Sequence, residues 1–402
     1  MPYSVYLDKE KCKRCGTCSK LVNCPSIEES ACIGCGACIL ACPFDARILE
    51  EKPREREITI RIDDNSYKVP ERISIKEALT MTGHKNAILP GTQELSTACG
   101  IGACMSCAIE INDKVMPGCV TSVKEGMNIK TELPKDYVPR RRIMFLSGPA
   151  GIPQVEAVCF TVGCNFICSQ CINSFITYNG KAEIFTPQEA AHRLTMTKRM
   201  IGVNRTLITG GECTLNRPWL IQYLSELTRL DPDPSSRILV DTNGSLLTNS
   251  YVDEIVETGA TDISIDLKGL QLDTFIKITG LKDSHMAERY KRTAWEAVKY
   301  ISHNYKDKIS LSVSIPYNNE LISLSEFNDI GLRLLESDPS IQVGIISYYG
   351  AFKSKNMQPP SSKEMKKAHR ILRDVGLKNV FAKTMEGFIK PSGEFMPTKG
   401  PY

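Results

Sequence analysis

"VGCNFICSQCINSF", residues 162 to 175, sets three thiols at Cys164, Cys168 and Cys171, directly after the apolar, β-rich run "VEAVCFTV" at 155 to 162. No fourth cysteine or histidine follows at ligand spacing, so a metal site built on these three keeps one position open. Five more β-rich runs follow: "RTLITG", "RILVDTNG", "DISIDLKG", "ISLSVSIP" and "IQVGIISYY". Helical stretches lie between them. In "TPQEAAHRLTMTKRM", Thr186 caps, Pro187 starts the helix and Glu189 closes a capping box. "WLIQYLSELTRL" and "AERYKRTAWEAVKYI" carry apolar residues at i, i+3 and i+4. Repeated βα units imply a parallel sheet with helical crossovers, and six of them predict a partial (β/α)6 barrel.

Polar punctuation agrees with that architecture. Cys164, "TGGE" at 209 to 212, "DTNG" at 241 to 244, "DLK" at 266 to 268 and "NN" at 318 to 319 each fall just after a predicted strand. Chemistry in parallel barrels collects at the C-terminal strand ends. One such tetrapeptide is only a turn, but five along one rim are hard to attribute to packing.

The chain has 402 residues, 42% of them hydrophobic, enough for two or three domains with cores, and a formal charge of +4. That balance implies neither nucleic acid nor an anionic membrane as partner, and the basic "PRRR" at 139 to 142 reads as a solvated linker. No stretch approaches the roughly 18 apolar residues of a membrane helix and the start carries no apolar signal segment, so no membrane insertion and a cytoplasmic protein are expected. Seventeen cysteines in a reducing compartment point to metal rather than disulfides. Eight lie between 12 and 42, four between 99 and 119, four between 159 and 171, and Cys213 stands alone.

The first array reads "CKRCGTCSKLVNCP" and "CIGCGACILACP". It resembles the bacterial two-cluster ferredoxins, whose fourth cysteine serves the other cluster. The resemblance implies one [4Fe-4S] cluster on Cys12, Cys15, Cys18 and Cys42 and another on Cys32, Cys35, Cys38 and Cys24. Five residues rather than three separate Cys18 from Cys24. Two zinc sites made of CxxC pairs would account for the thiols but not for the interleaved Cys-Pro ends.

The second array follows a strand, "ITIRI" at 58 to 62, a turn at "DDNS", a return "YKV" and a helix start capped by Ser74 with Glu77. "CGIGACMSCAIEINDKVMPGC" has the Cys-x4-Cys-x2-Cys opening of plant-type [2Fe-2S] loops, and its short last gap resembles the iron–sulfur subunit of succinate dehydrogenase. Cys99, Cys104, Cys107 and Cys119 are the implied ligands of a β-grasp-type domain, with a structural zinc loop as the alternative.

From residue 153 onward the chain resembles radical S-adenosylmethionine (SAM) enzymes, and among them the activating enzymes of glycyl-radical enzymes. "VCFTVGCNFICSQCIN", "ITGGECTLN", "LVDTNGSLL", "SIDLKGLQLDTFIKITG" and "SVSIPYNNE" follow that pattern in order and spacing. The resemblance implies a third [4Fe-4S] cluster on Cys164, Cys168 and Cys171, whose open iron takes SAM. It also implies that Gly210 and Gly211 make room for the methionyl part and that Glu212 accepts from its amino group. Asp241, Asn243 and Lys268 fall where the family places polar contacts to cosubstrate or substrate. The family's aromatic and His around the third cysteine are Gln170 and Ile172 here.

The expected organisation is a ferredoxin-like segment at 1–52, a [2Fe-2S] domain at 56–133, a linker at 134–152, a radical SAM partial barrel at 153–385 and a tail at 386–402. Cys159 reads as a buried small hydrophobe, and Cys213 as a tolerated small residue rather than a redox thiol. "DSHMAE" at 283 to 288 lacks the glycine of a cobalamin-binding Asp-x-His-x-x-Gly motif. Three functions compete: activation of a glycyl-radical partner enzyme, maturation of a small molecule, lipid or peptide, and electron transfer with the barrel as scaffold. A protein electron donor is an expected partner, with a glycyl-radical enzyme or another substrate as the second. Three [4Fe-4S] clusters and one [2Fe-2S] cluster require about fourteen irons per chain. Iron and sulfide analysis of anaerobically purified protein should give that value; about eight irons, or stoichiometric zinc, would contradict the assignment.

Overall fold

The computed structural model describes residues 2–24, 31–85, 87, 89, 95–150 and 156–397. Pro25 of the expected Cys-Pro end, the close of the expected linker at 151–152, the first residues of the barrel domain at 153–155 and the tail end at 398–402 lie outside the described residues.

Strands β1 (Tyr3–Leu7) and β2 (Arg47–Glu51) pair antiparallel, Tyr3 opposite Glu51, and so close the cysteine-rich segment between them. Two short helices, α1 (Thr17–Leu21) and α2 (Ala37–Leu40), lie within it. The next module is a five-stranded sheet built from β3 (Glu57–Ile62), β4 (Asn65–Pro70), β5 (Ala108–Ile111), β6 (Lys114–Pro117) and β7 (Asn128–Lys130), in the order β4-β3-β7-β5-β6. Asp63 and Asp64 both take left-handed backbone (φ 47 and 68), as a two-residue hairpin turn matching strand twist requires. Ile58, Ile60 and Ile62 alternate inward against α3 (Ile75–Met81), whose cap Ser74 accepts from the Glu77 N–H at 3.2 Å.

The third sheet has eleven strands in the order β10-β8-β9-β11-β12-β13-β14-β15-β16-β17-β18. Its parallel centre comprises β9 (Glu156–Thr161), β11 (Arg205–Gly210), β12 (Arg237–Thr242), β13 (Asp262–Asp266), β14 (Ser310–Tyr317), β15 (Gln342–Ser347) and β16 (Asn379–Lys383). That is seven parallel strands where six were expected; the seventh, "NVFAK", has exposed charged and aromatic alternates that weaken its apolar signature. Two ends extend beyond the expected boundaries. β8 (Arg141–Ala150) comes from the expected linker and pairs antiparallel with β9 and the short β10 (Ile184–Phe185). β17 (Gly387–Ile389) and β18 (Phe395–Pro397) come from the expected tail and form a hairpin on β16. Among the described residues no pairing joins the first and last strands, so the sheet is open.

Helices α4 (Ser174–Thr177), α5 (Pro187–Ile201), α6 (Arg217–Leu230), α7 (Asn249–Glu257), α8 (Leu272–Thr279), α9 (Ser284–Asn304), α10 (Leu324–Ser337) and α11 (Ser362–Asp374) link the strands. Thr186 and Glu189 make both bonds of the expected capping box on α5. Ile208, Val240, Ile263, Val313 and Ile345 from consecutive strands bury against Trp219, Leu224, Val298 and Ile330 from the helices, forming the main core. No helix among the described residues is long and apolar enough to cross a membrane.

The modules are not beads on a string. A second core draws Leu21, Ala37 and Ala41 from the first, Cys99, Ile101 and Ala103 from the second, and Val162, Phe166 and Tyr178 from the third. Backbone bonds cross the same junction: the Arg142 N–H donates to the Ala103 carbonyl at 2.9 Å. Buried Asn216 is the polar pin. Its Nδ2 donates to the carbonyls of Cys104 (2.9 Å) and Arg140 (3.2 Å), while its Oδ1 caps α6 through the Trp219 N–H at 3.1 Å. Asn216→Ala removes a cap and leaves a buried carbonyl unpaired, together about 2–4 kcal/mol. The urea midpoint followed by circular dichroism should fall accordingly; an unchanged midpoint would show that the junction does not depend on this residue.

Candidate active site

Strand β9 ends at Thr161, and the chain turns out through Gly163 (φ 90) into the three-thiol loop. Cys164, Cys168 and Cys171 lie close enough to raise one another's pKa. Burial is the larger cause: it pushes Cys168 to about 12 and raises Cys164 and Cys171. Thiols so placed give up their protons only to a strong cation, so this donor set fits an iron cluster and metal uptake would release protons.

The neighbouring strand end is locked to this loop. The Gly211 N–H donates to Thr161 O and the Glu212 N–H to Gly163 O, both at 2.8 Å. A Cβ on Gly210 would stand 2.5 Å from the Thr161 carbonyl, and one on Gly211 would collide with that of Gly163. The two glycines are thus required by the crossing of β9 and β11 themselves, a reason separate from the room for a methionyl group that the resemblance implied. Glu212 is fully buried. Its Oε1 accepts from the Thr214 N–H (3.0 Å) and from the hydroxyls of Thr214 and Thr242 (2.6 Å each), and its Oε2 from the Asn243 N–H at 2.8 Å. One lone pair of Oε2 remains for a further donor.

The other rim residues assemble around this carboxylate. Asn243 Nδ2 donates to Asn165 Oδ1 at 3.0 Å and lies 3.9 Å from Cys164 Sγ, while its Oδ1 accepts from the Ser245 N–H and hydroxyl. Asp241 accepts from the Thr209 hydroxyl at 2.6 Å; burial, reinforced by the charges of Asp266 and Glu212, raises its pKa to about 6. Lys268 is buried, ion-paired with Asp266 and bonded to the Tyr348 hydroxyl at 2.8 Å. Burial alone would discharge it, but Asp266, Tyr348 and Cys168 hold its pKa up. Asn318 is a loop staple instead: its Nδ2 donates to the carbonyls of Tyr348 and Gln358. Gln170, where the family carries an aromatic, is buried and donates to the Ile278 carbonyl at 3.1 Å.

Arg141 is a part of the site that sequence reasoning placed in solvent. It is fully buried, with Nη1 donating to Cys213 O at 2.6 Å and Nη2 to Glu212 O at 3.0 Å and Val162 O at 3.4 Å, its guanidinium 5.6 Å from the Trp219 ring centre. The planar fork meets carbonyls from two strand ends at once, which a lysine could not do. In "PRRR" only alternation along a strand would have singled it out. Cys213 is buried, its thiol donating to the Asp241 carbonyl at 3.3 Å, and Cys159 is buried in β9. Neither is reachable by solvent.

The N-terminal thiols lie near one another, Cys38 close to Cys35, Cys24 and Cys32. Partial burial, then these three neighbours, push the Cys38 thiol up to about 12. Cys32 accepts from the Val5 N–H at 3.3 Å and Cys42 from the Ala46 N–H at 3.4 Å. Arg47 donates to Cys18 Sγ at 3.7 Å and faces Cys12 and Cys38 as well. Cys15 is exposed beside Thr17. Cys99, Cys104, Cys107 and Cys119 are all buried, with Cys99 in hydrogen-bond reach of Cys104 and Cys119, and Cys107 of Cys119. This compact, water-free set of four thiols fits a [2Fe-2S] cluster. Among the described residues no three Cys, His, Asp or Glu stand as ligands of a single ion.

Residues 158–323 match the radical SAM superfamily, 55–134 a 2Fe-2S iron–sulfur cluster binding domain and 25–48 a 4Fe-4S binding domain. A GTP 3',8-cyclase of Microcystis aeruginosa is 28% identical over 179 residues, 43% of this chain and 50% of that protein. An AdoMet-dependent heme synthase of Methanosarcina barkeri is 29% identical over 129 residues, 32% of this chain and 35% of that one. A Methanocaldococcus jannaschii protein provisionally named a glycyl-radical enzyme activating enzyme is 24% identical over 214 residues, 52% of this chain and 74% of that one. The chain spans about half or less of the length of the first of these curated relatives. Among solved structures, Streptococcus suis SuiB bound to S-adenosylmethionine aligns with a TM-score of 0.40 at 15% identity, over 55% of this chain and 45% of that one. The chain therefore carries a radical SAM domain together with 4Fe-4S and 2Fe-2S domains.

Glu212→Gln would turn an amide donor toward donors already in place, and an unpaired buried donor costs about 1–3 kcal/mol. SAM affinity measured by equilibrium dialysis should weaken by roughly tenfold or more, the equivalent of one lost charge-assisted bond. Unchanged affinity would show that Glu212 neither contacts nor positions the cosubstrate.

Proposed function

We propose that the protein activates a separate enzyme by generating a glycyl radical on it, and that its N-terminal modules relay the electrons. The cluster on Cys164, Cys168 and Cys171 and its cosubstrate supply, when bound, one electron and a 5′-deoxyadenosyl radical that takes a hydrogen atom from the glycine Cα of the partner. Glu212, held by four protein donors, orients the strand end against which SAM would lie, and Arg141 fixes that strand end from behind. Asn243 bridges Cys164 to the β12 end.

The observation that carries the protein-substrate reading is an exposed apolar pair beside the thiols. Ile172 and Phe175 are 56% and 62% exposed, directly after Cys171, while Asn173 between them is tied back to the Gly210 carbonyl at 3.3 Å. A small polar substrate would leave such a doorstep wet, whereas a protein partner would cover it. Fuller coverage of the M. jannaschii relative supports the same reading. A second reading, maturation of a small molecule, draws support from the three additional cluster sites, which suit multi-electron turnover, and from the GTP 3',8-cyclase and heme synthase relatives.

The electron-relay role cannot be tested by deleting the first 133 residues, because Val162, Phe166 and Tyr178 share their core with those modules and would be laid bare. Anaerobic incubation with enzymes encoded nearby, followed by electron paramagnetic resonance, tests the substrate instead. A doublet that collapses when the partner's glycine carries deuterium is the expected outcome, and Phe175→Asp should abolish it while leaving partner-free SAM cleavage in place. Catalytic deuterium transfer from a labelled small molecule into 5′-deoxyadenosine, with no protein radical, would move the assignment to the second reading.

A further inference from the structure

We infer that electrons reach the radical-generating loop in series, through a packed line that runs from Leu40 to Cys99 and Gly100 and on to Gly163. The inference rests on the relay role proposed above and names its route. Leu40 lies between Cys38 and Cys42, the implied ligands of two different [4Fe-4S] clusters. Its Cδ1 packs on Gly100, where an added Cβ would stand 3.1 Å away. Gly100 adjoins Cys99, a [2Fe-2S] ligand. Cys99 in turn packs on Gly163, where an added Cβ would stand 2.9 Å from its Cβ and 3.5 Å from its Sγ. Gly163 adjoins Cys164. At each step a ligand, or a residue beside one, touches a residue beside the next ligand, and all of it lies in one apolar core.

Other contacts join the first module to the βα domain, but none is built this way. Lys353 bridges Asp45 (2.6 Å) to the Ser169 carbonyl, yet that path runs through a long side chain to an aspartate 63% exposed. Gly180 lies against the backbone of Leu21 and Asn23, nine residues past Cys171. Electron transfer slows steeply with the gap between centres, so the route with ligand-to-neighbour contact throughout dominates. A reduced [4Fe-4S] cluster of the first module would lose one electron, which would reduce the [2Fe-2S] cluster held by Cys99, Cys104, Cys107 and Cys119. A second transfer reoxidises the [2Fe-2S] cluster and reduces the cluster on Cys164, Cys168 and Cys171. A reduced one-electron carrier protein supplies each electron.

The test is rapid freeze-quench electron paramagnetic resonance of the full-length holoprotein mixed with a reduced bacterial ferredoxin. The radical-site cluster is identified as the signal that shifts on adding SAM. Leu40→Ala opens the line while sparing every ligand. It should slow the appearance of that signal without slowing reduction of the first-module clusters, and Leu40→Met should restore the rate. Titanium(III) citrate, which reaches the open cluster directly, should reduce it in Leu40→Ala as fast as in the unaltered protein. In Cys119→Ala, with the [2Fe-2S] cluster lost, the SAM-responsive signal should develop no faster than without carrier. A SAM-responsive signal that grows at the unaltered rate in either variant would overturn the series route. These rates do not depend on the substrate, so failure of glycyl-radical formation would count against the proposed function alone.

Discussion

Everything in this molecule crosses at the backbone of Gly163. Its carbonyl accepts the Glu212 N–H at 2.8 Å, its N–H donates to the Thr177 carbonyl at 2.9 Å, and its bare Cα faces the Cys99 side chain. With φ at 90 and no space for a Cβ, the position excludes every other residue on both conformational and steric grounds. The three-thiol loop, the glycine-rich strand end and the [2Fe-2S] module are therefore fixed relative to one another by one peptide unit. Two of these links are backbone hydrogen bonds, and the third is the close seat of the Cys99 side chain on the bare Cα.

Around that crossing the protein buries charge with most of its partners in place; the Nε of Arg141 has none. Glu212 and Arg141 lie at the same strand end, both fully buried, yet they do not form an ion pair: Glu212 takes four N–H and O–H donors and the Cys213 thiol, and Arg141 gives to three carbonyls. Removing either would strand polar groups in a water-free region, the costly half of the buried-polar asymmetry. Asp241, Asp266, Lys268 and Tyr348 continue the network toward the rim. Burial, with the charges of Asp266 and Glu212, raises the Asp241 carboxyl to about 6 against the opposing bond from the Thr209 hydroxyl, while Asp266 beside Lys268 holds the lysine's pKa up. A dense buried network of this kind holds one geometry and tolerates little substitution.

What could be read in advance and what could not divide along physical lines. Cysteine spacings are local, so both arrays and the three-thiol loop were legible as cysteine groups. The strand-end positions of Cys164, "TGGE", "DTNG" and "DLK" were legible too, because each follows a short run of apolar and β-branched residues. The Thr186 and Ser74 caps follow from local chemistry and stand as expected. Arg141 was not legible, since a guanidinium that meets carbonyls 21 to 72 residues away leaves no local trace. Nor was the Cys99 to Gly163 contact, which joins two motifs that each looked complete alone. β8 and the β17–β18 hairpin were hidden because the charged and turn residues in and around their short runs read as linker and tail.

The central claim is that the [2Fe-2S] module sits directly on the radical-generating loop. The measurement that tests it most directly is the relaxation of the [2Fe-2S] paramagnetic resonance signal in fully reduced holoprotein, with and without SAM. Direct packing of Cys99 on Gly163 predicts a signal broadened and relaxed by the neighbouring cluster and altered again when SAM occupies the open position. A slowly relaxing [2Fe-2S] signal, indifferent to SAM, would contradict it.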